Sequence, residues 1–335
     1  MGGQDLRLGP DCGNGTSIMK RFFGNRQTTL AGDISLTGTG VHTGAPVSIS
    51  LTPADPDIGI TFVIPDGSDG EVEIPATSDA ITNVTLCTVL SDGNGSNVAT
   101  VEHLLAAVRA LGVDNMRIEI DSGEVPIMDG SSEPFIDAID EVGLFDQDAS
   151  RRFIKVLKTV RVEDGDAWGE MSPHDGFLVD VGIEFDTPLI GKQRIRLEVT
   201  PDSFRKELGR ARTFGFMKDV ERLWAAGLAL GAALENTVAI GDDRVINPEG
   251  LRFADEFVRH KALDAVGDLS LAGAPLLCAY RSHRGGHRLN SLMVKALLAD
   301  MSAWTYVEAP RRREVMHAEA SGYGAIAANF AADHS

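Results

Sequence analysis

Residues 100–120, TVEHLLAAVRALGVDNMRIEI, carry two periodicities in succession. Val101, Leu104, Leu105, Val108 and Leu111 recur at the spacing of one helix face, and Gly112 offers the residue on which such a helix closes. Thr100 stands where an N-cap is expected. From Asn115 the period falls to two: Asn115-Met116-Arg117-Ile118-Glu119-Ile120 alternates as a half-buried strand does, as does Pro46-Val47-Ser48-Ile49-Ser50-Leu51 upstream. A second helix follows Ser131-Ser132-Glu133-Pro134 and runs to Gly143, with Phe135, Ile136, Ile139 and Val142 facing inward. Strands followed by helices predict an α+β fold.

The same order returns downstream. Strand signals appear at 177–181 and 194–199, and a helix from near Asp255 buries Phe257, Val258, Leu263, Val266 and Leu269 before Gly273 and Pro275 stop it. A last helix is expected over roughly 290–303. The polar stretch Asp146-Gln147-Asp148-Ala149-Ser150 suggests a boundary near 150, and 335 residues exceed the usual size of a single core. The expected layout is a poorly ordered extension over 1–27, an α+β domain over 28–150, a second over 151–308 and a tail over 309–335.

A hydrophobic fraction of 43% and a charged fraction of 24% are those of a globular protein. The net charge of −18, from 31 basic and 49 acidic residues, argues against a nucleic-acid partner. One basic island, Arg281-Ser282-His283-Arg284-Gly285-Gly286-His287-Arg288, can receive an anionic group. Cys12, Cys87 and Cys278 show neither a paired count nor a CxxC spacing, which fits a reducing compartment. The first residues hold no apolar signal core, so a cytoplasmic location is expected.

Chemistry enters through two segments. His260 and Asp264 lie four apart on one helix face and can clasp one ion, with His103 as a third ligand and the fourth position open to water. Glu102, adjacent on its helix, can serve as general base. Either segment alone is ordinary, since a His and an Asp four apart often form a surface ion pair. Here Asp268 extends the ionisable stripe along a helix that otherwise buries apolar groups, and such burial is costly without a metal or hydrogen-bond partners. His287 follows a glycine pair, and Asp268 is a candidate to hold it protonated. Lys261 can neutralise a phosphate or an oxyanion, or lie solvated on the helix. The uncharged run 223–234 is too short to span a bilayer. It reads equally as a buried helix or as the wall of an apolar channel.

At these residues the chain resembles the UDP-3-O-acyl-N-acetylglucosamine deacetylases, zinc amidases of lipid A biosynthesis in Gram-negative bacteria. The resemblance spans roughly 28–308 and rests on six ordered blocks: Gly40-Val41-His42-Thr43-Gly44; Thr100 to Leu104; Pro126 to Ser131; Arg210 to Phe216; Leu251 through Asp268; and Gly286-His287. It implies two related β-α-α-β layered domains, with a small sheet inserted in the first, a βαβ unit in the second and the active site in the cleft between them. It implies zinc on His103, His260 and Asp264, with Glu102 as base. Thr213 would stabilise the oxyanion, and His287, supported by Asp268, would act as acid or cation. Lys261 and Gly286 would contact the substrate, a UDP-linked acylated glucosamine, and Phe214, Phe216 and the run from Leu223 would line the acyl passage. Membrane contact would be at most peripheral, and no obligate protein partner is implied. Two readings compete. The same ligands suit Fe2+, as cofactor variant or in a non-haem iron oxygenase, and a metal-stabilised sugar-nucleotide-binding protein could use them structurally.

Overall fold

A computed structural model describes residues 24–65 and 70–309. The expected extension (as far as residue 23) and nearly all of the expected tail, with Cys12 and Arg311-Arg312-Arg313, lie outside the described residues. Arg26 and Gln27, assigned to the extension from sequence, open the strand Arg26–Leu30, which pairs antiparallel with Leu144–Ser150. The polar stretch at 146–150 is thus part of a strand.

The first half builds a five-stranded sheet in the order Ile34–Thr39, Pro46–Pro53, Met116–Ile120, Ile60–Pro65, Glu71–Pro75. Its register sets Ile49 opposite Ile120 and Leu51 opposite Ile118, all four buried. Met116–Ile120 runs parallel to Ile60–Pro65, which requires a crossover. That crossover includes a three-stranded sheet (Ile81–Asn83, Val89–Ser91, Asn97–Val98) and helix α1 (Glu102–Leu111). Helix α2 (Glu133–Val142) follows, with proline in its first turn.

The second half has a seven-stranded mixed sheet in which Leu276–His283 lies between Ala167–Pro173 and Arg152–Val156 and also pairs parallel with Phe177–Glu184. Helix α3 spans Pro201–Glu207 and α4 spans Val220–Ala225. The strands Phe214–Phe216 and Val238–Ile240 pair parallel on either side of α4, forming a βαβ unit. Helices α5 (Glu256–Ser270) and α6 (His287–Ala299) flank Leu276–His283 in the chain. Leu104, Leu105 and Val108 of α1 share a hydrophobic cluster with Leu263, Val266 and Leu269 of α5. A Cβ on Gly267 would lie 2.0 Å from the Glu102 carbonyl oxygen, so glycine there lets the backbone of α5 approach the start of α1 closely.

Three local expectations are corrected. Thr100 does not cap α1: it adopts φ +58° and its hydroxyl donates to Glu124 Oε1, while Val101 takes the cap position without a side-chain bond. The last helix starts at His287, not Asn290, so the histidine sits at a helix N-terminus rather than on a loop. The run 223–234 is not a buried helix. α4 ends at Ala225, turns follow, and Trp224 and Leu230 are more than half exposed. Among the described residues no helix is long and apolar enough to cross a membrane.

Candidate metal centre

The N-terminus of α1 presents Glu102 and His103, and successive turns of α5 present His260, Asp264 and Asp268; all five are buried. His103 Nε2 lies 3.5 Å and His260 Nε2 3.3 Å from one oxygen, Asp264 Oδ1. His260 Nδ1 donates to the Ala211 carbonyl at 3.0 Å, which leaves its Nε2 a lone pair pointing at a carboxylate. Two acceptors this close repel unless a cation lies between them. A proton does not fill that role, because burial, outweighing the pull of Asp264, lowers the His260 pKa to about 3. His103 Nδ1 and Asp264 Oδ1 are both buried without a hydrogen-bond partner among the described residues. Burial also opposes the charge on Asp264, but the surrounding imidazoles and the Lys261 ammonium, 2.8 Å from Oδ2, hold its carboxyl well below the usual range. Three ligand atoms with an ionised carboxylate and an orphaned oxygen fit a divalent ion. The spacing agrees, since tetrahedral bonds of about 2.0–2.1 Å imply ligand atoms about 3.3 Å apart.

Glu102, Asp268 and His287 form a second buried cluster, and each of their ligand atoms lies within 4.8 Å of the others. Asp268 Oδ1 accepts from the Thr88 hydroxyl at 2.6 Å. Its Oδ2 accepts from Asn290 Nδ2 at 2.8 Å and pairs with His287 Nδ1 at 2.9 Å. Tyr280 donates to Asn290 Oδ1 at 2.7 Å and so orients the amide. Burial opposes the charge on His287, but Asp268 and Glu102 together outweigh it and raise the pKa to about 9. The ring is therefore an imidazolium at neutral pH, with Nε2 3.8 Å from Glu102 Oε1 and 3.9 Å from Asp264 Oδ2. Burial raises the Glu102 carboxyl, and His287 and His103 oppose it only in part.

The remaining sequence candidates border this centre to different degrees. Phe214 stands with its ring 6.2 Å from that of His260, and Lys261 Nζ lies 5.5 Å over the Phe214 ring. Phe216 follows two residues later in the same strand and packs on Phe185 at 5.9 Å. Thr213 is strapped by its backbone, donating to the Gly130 carbonyl and accepting from Val238 N–H, and its hydroxyl makes no hydrogen bond among the described residues. Gly130 adopts φ +84°, and a Cβ there would meet the Asn236 carbonyl at 1.9 Å, so only glycine permits this strap. Gly286 precedes α6 in extended backbone, and a Cβ there would meet nothing within 4 Å, so the space beside it is open. Sequence reading missed Thr88, Asn290 and Tyr280. They belong to no motif, and Thr88 reaches Asp268 across 180 positions.

A buried pair of imidazoles and a carboxylate, with a hydrogen-bonded carboxylate and an imidazolium beside them, is an arrangement suited to metal-dependent hydrolysis. Comparison with known proteins narrows the class. The family model described as UDP-3-O-acyl N-acetylglycosamine deacetylase (LpxC) matches residues 27–299. The UDP-3-O-acyl-N-acetylglucosamine deacetylases of Brucella ovis and Brucella canis are each 56% identical over 284 residues, covering 84% of this chain and 99% of their own length. That of Brucella melitensis biotype 2 is 55% identical over the same length. The chain belongs to the UDP-3-O-acyl-N-acetylglucosamine deacetylase family.

Proposed function

We propose that this protein is a zinc-dependent amidase that removes the N-acetyl group of UDP-3-O-acyl-N-acetylglucosamine, releasing acetate in lipid A biosynthesis. The observation that carries the reading is Asp264 Oδ1, buried without a hydrogen-bond partner among the described residues and facing Nε2 of both His103 and His260, directly against the hydrogen-bonded cluster that holds Glu102 and His287. His103, His260 and Asp264 hold the ion. Fe2+ suits the same donors, whereas an oxygenase would have no use for Glu102. When bound, the ion supplies Lewis acidity that can bring the pKa of water to about 7.

The chain's own groups divide the proton work. Glu102 accepts a proton from the attacking water, and His287, already an imidazolium, delivers one to the departing amine, which is a poor leaving group as an anion. Asp268 keeps that imidazolium charged and oriented. Thr213, with its hydroxyl unengaged, donates to the developing oxyanion, and Lys261 contributes positive charge nearby. Phe214, Phe216 and the exposed apolar residues of the 223–234 run line the acyl passage. Gly286 leaves room for the sugar. We further assign the domain boundary near residue 150, the site to the cleft between the halves, and the protein to the cytoplasm with at most peripheral membrane contact.

The test pairs metal analysis with acetate release from the UDP-sugar for wild type and Glu102→Gln. The variant is expected to keep its ion and lose about 100- to 10,000-fold in kcat. Full activity with the ion retained would remove Glu102 from the role of base. No acetate from wild type under any metal loading would end the deacetylase reading.

A further inference from the structure

Thr88, the residue before the strand Val89–Ser91, is 1% exposed and touches both carboxylates of the proton-handling cluster with different atoms. Its backbone N–H donates to Glu102 Oε2 at 3.1 Å, and its hydroxyl donates to Asp268 Oδ1 at 2.6 Å. Its carbonyl accepts from Val101 N–H, which ties the residue to the start of α1. Glu102 comes from α1 and Asp268 from α5, so this contact spans the two helices that build the site.

We infer that Thr88 is a positioning residue that holds the two proton-handling carboxylates in fixed relation, an inference that rests on the proposed hydrolytic role of Glu102 and His287. Three donors fix Asp268: Thr88 on Oδ1, and Asn290 and His287 on Oδ2. With both oxygens engaged, the carboxylate cannot rotate about its Cβ–Cγ bond, and the His287 ring that it orients stays aimed at the space beside Glu102. Without the hydroxyl, Oδ1 becomes a buried acceptor with no partner, and the carboxylate turns to find one. The backbone arm to Glu102 survives any substitution other than proline, so the hydroxyl arm can be removed by itself. Proton transfer depends on heavy-atom alignment within hydrogen-bond reach, so a loosened Asp268 is felt in the chemical step rather than in substrate binding.

The test is Thr88→Val, which keeps the shape and the backbone N–H, with Thr88→Ser as the conservative partner, both as full-length metal-loaded protein. Thr88→Val is expected to lower kcat about tenfold, equivalent to about 1.4 kcal/mol, with KM within about twofold and metal content unchanged. Thr88→Ser should return kcat to within about threefold of wild type. A proton NMR resonance from the His287 Nδ1–Asp268 hydrogen bond should move or vanish in Thr88→Val and persist in Thr88→Ser. Thr88→Cys, with a weak donor in a similar volume, should fall between them, and it carries the test if the valine variant does not fold. A valine variant with wild-type kcat and an unmoved resonance overturns the inference, as does a serine variant as slow as valine. If wild type itself releases no acetate, the functional reading fails, and the resonance still decides whether Thr88 positions Asp268.

Discussion

The two buried triads are built from the same kinds of side chain, each with its ligand atoms within 4.8 Å of one another, yet they are opposite in how they are satisfied. In His103, His260 and Asp264, the carboxylate oxygen that faces Nε2 of both imidazoles lacks any hydrogen-bond partner among the described residues, and the lone pair of His260 Nε2 points at it. In Glu102, Asp268 and His287, both carboxylates accept hydrogen bonds and a charged ring lies between them. A third buried charge makes the contrast clearer. Arg212 and Glu256 are 2% and 0% exposed, but their hydrogen bonds are to each other, to Glu249, to the Gly250 carbonyl and to the backbone N–H of Arg252. Burial of charge therefore does not mark a metal site. Buried acceptor atoms that converge with no donor between them point to one, because an added cation relieves them.

The comparison breaks most visibly at Asp264. Asp264→Asn removes the anionic member of the first triad, so the bound ion should fall to background and acetate release should drop by more than about 1,000-fold. Asp268→Asn alters the second triad only, so the ion should stay while kcat falls about 10- to 100-fold. Metal analysis of the two purified proteins decides the matter, and equal ion loss from both would mean that the two triads act as one ligand set. Glu256→Gln tests the third charge. It leaves Arg212 buried beside an amide and should lower stability by roughly 3–5 kcal/mol in urea unfolding. Catalytic constants per folded molecule should not change, and a fall in kcat without a fall in stability would bring Arg212 into the site.

How far these triads could be read from sequence follows from the range of the interactions that make them. His260, Asp264 and Asp268 share one helix face, so the 3.6-residue period announces them, and Glu102 and His103 lie in the first turn of the helix whose stripe was plain. Glu102, Asp268 and His287 are candidates from sequence too, and only the residues that hold the second triad in place need tertiary information. Thr88 is one threonine in a short hairpin, and its partner is set by the approach of α5 at Gly267. Local rules also lost to tertiary ones at Thr100, where a buried bond to Glu124 holds a left-handed backbone in place of a cap. The run 223–234 misled for a different reason. Its lack of charge resembles a core, but Gly227 at φ +71° and the turns after it break the helix, and the apolar side chains stay at the surface. At the polar strand Leu144–Ser150, backbone pairing with Arg26–Leu30 outweighed composition.

The smallest effect separates the triads by pH. His287 is raised from 6.5 to about 9 in the folded protein. Its protonated ring therefore stabilises the fold fully below about pH 6.5, and that contribution disappears as the pH rises through about 9. The same loss would remove the proposed acid, so kcat/KM should fall on the alkaline side with a midpoint near 9. Asp264 is shifted the other way, well below the carboxylate range, so its charge persists through moderate acid. The acidic limb is expected instead from Glu102, which burial raises and which, as the proposed base, must be ionised to accept a proton. His287→Gln should slow the reaction and abolish the alkaline limb while leaving the acidic one, and urea unfolding at pH 6, 8 and 10 should lose the decline that runs across all three. An alkaline limb that survives in the variant would assign that titration to Lys261 or to the metal triad, and would break the division between an ion-holding cluster and a proton-holding one.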